Sequence, residues 1–205
     1  MSVQPAIDAD GHIYELPEEI RPYLDSKWRS RGTAFWPQAQ PWDTRLGGAI
    51  APPRDYKRGI SAKQQVDIWH GILDDYTIER AVLFPTGAGG IDKLQERDFA
   101  RAVMRATNDH FSADYQTDRL FPVGTLIVRE PETAAREIER GARELGLKAF
   151  VILPDGRPAA LGDPFYDPVY EAAQACDVAL TIHASRVFSH EWGGDKLQTF
   201  SEVHS

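Results

Sequence analysis

Five short apolar runs, separated by stretches of helical periodicity, constrain this sequence more than any other feature. They cover residues 6–10, 80–84, 120–128, 147–153 and 178–183. Most are continuous rather than alternating, which is the mark of strands buried on both faces, as in a parallel sheet. Between them lie helix signals. Ser61 and Gln64 form a capping box, and Val66, Trp69, His70 and Leu73 follow at helical spacing. Residues 93–115 carry Phe99, Val103, Met104, Thr107 and Phe111 on one stripe. Pro131 suits a first helical residue and Gly146 stops that helix. Asp167 and Pro168 open another helix, which ends near Cys176 and Asp177. Strand and helix alternate, which implies α/β architecture with right-handed crossovers. Five strands make a complete open doubly wound sheet but do not close an eight-stranded barrel of about 250 residues. Pattern alone therefore favours the open sheet.

Residues 13–60 break the rhythm. They hold Pro17, Pro22, Pro37, Pro41, Pro52 and Pro53 together with Trp28, Trp36 and Trp42. A stretch this long without regular elements reads as a lid or a subunit interface inserted in a single domain spanning 1–205, and its tryptophans suit a homodimer. The net charge of −8 arises entirely after residue 60, where 15 basic residues face 23 acidic ones. No basic stripe exists to grip a phosphate backbone, so nucleic acid is not an expected partner. No apolar run approaches the roughly 20 residues of a membrane span, and the first residues lack a signal pattern. One cysteine, Cys176, suits a reducing compartment. The expectation is a cytoplasmic protein acting on a small molecule, with no membrane partner.

The strand ends carry the chemistry. The first run continues as Asp8-Ala9-Asp10-Gly11-His12. Residues two apart in extended backbone share a face, so Asp8, Asp10 and His12 are expected on one side, with Gly11 free to turn. His183 ends the fifth apolar run. Asp10, His12 and His183 would then meet at the C-terminal end of one parallel sheet, where α/β folds place their active sites. Two imidazoles and a carboxylate suit one divalent transition metal, zinc first and manganese as the alternative. Asp8 either braces this set or begins the turn. Arg186 and His190, just beyond His183, are candidate contacts for an anionic substrate. The glycine-rich stretch 86–90 lacks the Gly-Lys-Ser/Thr ending of a nucleotide loop and reads as an active-site loop. No Gly-x-Ser-x-Gly elbow is present, and His70, His110 and Cys176 read as structural.

The Asp-Ala-Asp-Gly-His opening resembles the metal-binding start of the amidohydrolase superfamily, within the amidohydrolase-related branch of aminocarboxymuconate-semialdehyde and resorcylate decarboxylases. Further matching stretches are 119–123, 137–149, 163–177 and 181–184. The resemblance implies a (β/α)8 TIM barrel, incomplete here at about five strands. It places Asp10 and His12 on the superfamily's His-x-His ligand pair and His183 on its strand-five histidine. It implies that the later histidine and the strand-eight aspartate, the catalytic proton carrier, fall beyond Ser205. Lys148 stands at the wrong end of its strand to bridge two metals, so one ion is expected. The activity expected first is metal-dependent hydrolysis of a small organic substrate by activated water. Non-oxidative decarboxylation of an aromatic or unsaturated acid stands as the alternative. An inactive, partner-binding barrel fragment is the reading from a different class.

Overall fold

The computed structural model describes residues 5–30, 60–86, 91, 94, 96–152 and 158–183. Its elements are β1 (Ala6–Ile13), α1 (Pro17–Ile20), α2 (Ser26–Arg29), α3 (Ala62–Asp75), β2 (Ile78–Pro85), α4 (Arg97–Asp114), β3 (Leu120–Pro122), β4 (Gly124–Thr125), α5 (Pro131–Arg143), β5 (Ala149–Ile152), α6 (Asp167–Cys176) and β6 (Ala179–Ile182). A 3₁₀ turn over Arg21–Tyr23 links α1 to α2. Among the described residues no helix is long and apolar enough to cross a membrane.

Every strand pairing is parallel: β1 with β2, β2 with β3, β4 with β5, and β5 with β6. The third apolar run is where sequence and structure differ. It forms two short strands rather than one long one. The Val123 amide still donates to the Leu83 carbonyl on β2 at 2.9 Å, and Gly124 then pairs with Phe150 on β5. The run thus hands the sheet from one neighbour to the next. Asn108 of α4 accounts for its early end. Its side chain accepts from the Thr125 amide at 2.7 Å and donates to the Thr125 carbonyl at 3.1 Å, taking both backbone groups of that residue. Leu126, Ile127 and Val128 continue as buried chain outside any strand, and the Ile127 carbonyl accepts from the Glu130 amide at 3.2 Å.

The helix signals hold. Ser61 and Gln64 cap α3 reciprocally, Pro131 opens α5, and Gly146 adopts a left-handed φ of 72° beyond it. Phe99, Val103, Met104, Thr107 and Phe111 are all buried along α4. Each large apolar side chain so buried contributes about 1.5–3 kcal/mol. Alternation along the strands sorts side chains into two layers. Ala81 and Leu83 of β2 join the helix-facing core with Leu73, Val103 and Phe111. Phe150 and Ile152 of β5 do the same against Ile138, Tyr166 and Val169. The intervening residues Val82, Phe84, Val123, Ala149 and Val151 form a separate cluster on the other face. That inner cluster is the floor on which the site sits.

Candidate metal centre

His12 pairs with Phe84 in the β1–β2 ladder and therefore stands on the inner face, above the apolar floor. β1 does not run in plain alternation up to it. Between Asp8 and Gly11 the register shifts: β1 advances from Asp8 to Gly11 while β2 advances only from Ala81 to Leu83. Such a bulge re-aims the side chains beyond it. The shared face expected of Asp8, Asp10 and His12 thus survives only for the last two. Asp8 instead turns its carboxylate to the backbone, where Oδ1 accepts from the Asp10 amide at 3.0 Å and holds the bulge. Gly11 is needed for packing. A Cβ there would lie 2.7 Å from the Trp69 ring and 2.9 Å from Leu83.

His183 reaches the same place from the second three-stranded sheet, β4-β5-β6. Its amide donates to the Ile152 carbonyl at 3.3 Å, just past β6. Its Nε2 lies 3.3 Å from Asp10 Oδ1, and the His12 Nε2 lies 3.8 Å from the same oxygen. The two imidazoles meet edge to face at 5.1 Å, and Phe84 packs against His183 at 5.0 Å and His12 at 6.1 Å. One donor atom from each of Asp10, His12 and His183 lies within 4.8 Å of the other two. Adjacent donors around an ion with ~2.1 Å bonds stand about 3.0–3.4 Å apart, so the His183–Asp10 separation already fits a divalent metal and the wider ones would close by up to about 1.4 Å. Burial, and then the neighbouring His183, push the His12 imidazole below its ordinary pKa, against the opposing pull of Asp10 and Asp8. A depressed pKa keeps the ring neutral, with a lone pair available to a cation.

Three further residues shape the site without having been singled out for it in the sequence. The Trp69 indole N–H donates to the His12 carbonyl at 3.3 Å, Thr86 Oγ1 lies 3.3 Å from His12 Nδ1, and Phe84 backs both rings. Trp69 was legible only as part of a helical stripe, and Thr86 only as the start of a loop. Their position beside β1 depends on the β1–β2 pairing, which no local pattern reveals. Lys148 is exposed immediately before β5, at the end of the sheet opposite the site, as expected. Arg186, His190, His204, residues 31–59 of the proposed lid and residues 87–90 of the glycine-rich loop lie outside the described residues.

Comparisons with known proteins agree with this architecture. The gamma-resorcylate decarboxylase of Polaromonas sp. (strain JS666 / ATCC BAA-500) is 29% identical over 122 residues, 55% of this chain and 36% of that protein. The 5-carboxyvanillate decarboxylase of Novosphingobium aromaticivorans DSM 12444, solved with manganese and 4-hydroxy-3-methoxy-5-nitrobenzoic acid, superposes with a TM-score of 0.60 at 26% identity, over 87% of this chain and 50% of that one. An amidohydrolase from Mycobacterium avium subsp. paratuberculosis K-10 shares the fold, with a TM-score of 0.65 at 20% identity over 97% of this chain and 63% of that one. The chain thus spans about a third to a half of the two decarboxylases it matches. Its parallel β/α units are those of the (β/α)8 TIM-barrel fold, with five strand positions among the described residues. A family profile described as amidohydrolase matches residues 7–203, nearly the whole chain, and the chain therefore belongs to the amidohydrolase family.

Proposed function

We propose that this chain carries the metal-binding half of a metal-dependent, non-oxidative decarboxylase of a hydroxylated aromatic acid. The observation that carries the reading is the convergence of Asp10 and His12, on β1 of the β1-β2-β3 sheet, with His183, just past β6 of the β4-β5-β6 sheet. Both decarboxylases described above match at more than 25% identity, which favours loss of carbon dioxide over the hydrolysis expected from the sequence.

Asp10, His12 and His183 would hold one divalent ion. Manganese is favoured over zinc because the 5-carboxyvanillate decarboxylase was solved with it. When bound, such an ion supplies a Lewis-acid grip on a substrate carboxylate and a neighbouring oxygen. The chain's own residues shape and orient the site. Phe84 gives the site a dry aromatic floor, Trp69 fixes the height of His12, and Asp8 fixes the backbone of Asp10. Arg186 and His190, close behind His183, would add a cation and a hydrogen-bond donor for the substrate's carboxylate. The same reading keeps a cytoplasmic, homodimeric protein, on the support of the sequence.

The test is carbon dioxide release from a panel of mono- and dihydroxybenzoates with Mn²⁺, run beside a panel of amides and lactones. Decarboxylation of at least one acid, lost on chelation, is the expected result. Hydrolysis without decarboxylation would restore the hydrolase reading. Metal binding with neither activity would favour the binding module.

A further inference from the structure

We propose that Thr86 is a positioning residue for His12, its hydroxyl oxygen accepting the Nδ1 proton so that Nε2 is left as the ligating nitrogen. The inference rests on the reading of Asp10, His12 and His183 as metal donors. Thr86 stands directly past the end of β2, and its amide donates to the Ile13 carbonyl at 3.1 Å, which pins its backbone beside His12. Its Oγ1 then lies 3.3 Å from His12 Nδ1. A hydroxyl can donate or accept, so this contact alone does not choose the tautomer. The other nitrogen chooses it. His12 Nε2 faces the Asp10 carboxylate that His183 Nε2 also faces. A ring that binds a cation through Nε2 must carry its proton on Nδ1, and Thr86 is the acceptor in place for it.

The arrangement gives His12 three restraints. The Trp69 indole holds its carbonyl, Phe84 packs against its ring, and Thr86 sets its rotation about the ring axis. Threonine is better suited than serine to this task, because a β-branched side chain has few χ1 rotamers to lose. Partners of this kind typically change metal affinity by about 10–100-fold when removed.

The experiment uses Zn²⁺ as a diamagnetic probe, with affinity read by calorimetry and the His12 Nδ1–H proton by ¹⁵N-edited NMR of the loaded protein. T86V, nearly isosteric but without the hydroxyl, should weaken Zn²⁺ binding by about 10–100-fold and lose the Nδ1–H resonance to solvent exchange. T86S should restore the resonance and most of the affinity, which a merely space-filling Thr86 would not require. If T86V does not fold, T86A carries the same two expectations. A hydroxyl-free variant with native affinity and a protected Nδ1–H overturns the proposal. Asp10→Ala separates the two levels. If it abolishes Zn²⁺ binding while T86V leaves it unchanged, only the role of Thr86 falls. If Asp10→Ala binds Zn²⁺ like the native protein, the metal reading beneath it falls as well.

Discussion

Asn108, Glu137 and Arg140 spend their hydrogen bonds within a closed network with Asp109 and Thr125, whereas Asp10, His12 and His183 each turn one polar atom towards a common point. Asn108 donates to Glu137 Oε1 at 2.8 Å and to the Thr125 carbonyl, and it accepts from the Thr125 amide and hydroxyl. That fills both donors and both acceptor sites of the amide. Arg140 answers both oxygens of Glu137, at 2.9 and 2.6 Å, and Asp109 at 2.6 Å. Burial pulls the Arg140 guanidinium down, but Glu137 and Asp109 outweigh it and hold it above its ordinary value. The Glu137 side chain is 1% exposed, against 77% for Asp10, 36% for His12 and 28% for His183. Arg105, 3.7 Å from Glu137, supplies the second cation, so the first cluster is closed and charge-balanced, and it welds α4 to α5 and to β4. The second brings two rings together and leaves lone pairs pointing inward. A polar cluster that serves the fold satisfies itself, and one that serves chemistry keeps valence open for a partner.

The largest expected effect breaks the closed cluster. Glu137→Ala removes a buried carboxylate and leaves Asn108 and Arg140 short of their acceptor. Loss of one member of a buried pair costs about 3–5 kcal/mol, which denaturant unfolding would read directly. Metal affinity per folded molecule should stay within about twofold, because the cluster makes no contact with the three donors. A change smaller than about 1 kcal/mol would mean that the network is less closed than its geometry.

The reverse pattern is expected at the open cluster. The Asp10→Ala, His183→Ala double variant should lose Mn²⁺ binding by more than the roughly 100-fold typical of an outer partner, while the metal-free protein changes stability by less than about 1 kcal/mol. Calorimetry with Mn²⁺ and a thermal melt in chelator check both halves. Destabilisation as large as that of Glu137→Ala would show that the donors are structural.

Gly11→Ala lies between the two. The new Cβ would press on Trp69, which its hydrogen bond ties to the His12 carbonyl, and on Leu83 in the core. Overpacking of this kind costs about 1–3 kcal/mol. Here the same push displaces His12, so stability and metal affinity should fall together, unlike in either variant above. Unfolding and Mn²⁺ titration on one preparation would show whether the two losses are coupled.

What the sequence made legible follows the same division. The capping box at Ser61, the proline start of α5 and the buried stripe of α4 are local patterns, readable because their physics lies within a few residues. Asp10, His12 and His183 were readable as candidates because each marks the polar end of an apolar strand, and the structure brings them together. The split of the third strand depends on Asn108, a polar residue on a helix whose partner Thr125 lies 17 positions away. The bulge that turns Asp8 away from Asp10 arises from the pairing of β1 with β2, and so does the approach of Thr86. No periodicity in either strand signals a register shift, because register is a property of the pair.

The smallest expected effect concerns His110, a buried histidine on α4 away from the three candidate donors. It is fully buried on α4, with Nδ1 2.7 Å from Asp114 Oδ2, an oxygen that also accepts from the Tyr23 hydroxyl at 2.6 Å. Tyr23, Phe111 and Tyr115 surround its ring, and Nε2 has no partner among the described residues. Burial pushes its pKa below the ordinary 6.5, against the Asp114 hydrogen bond and the charges of Asp114 and Glu19. The unfolded chain then binds a proton at a higher pH than the native one. The stability His110 contributes is present above about pH 6.5 and is lost as pH falls through the lower, native value, at a slope of at most about 1.4 kcal/mol per pH unit. Between about pH 7.5 and 5.5 the native protein should lose more stability than His110→Gln, by no more than about 1.4 kcal/mol, measured by denaturant unfolding of both. His12 has a lowered pKa as well, but it is common to the two proteins and cancels in the difference. The difference should also be unchanged by Mn²⁺, since no His110 contact reaches the three donors. A difference that vanished on adding metal would join the two clusters that the geometry keeps apart.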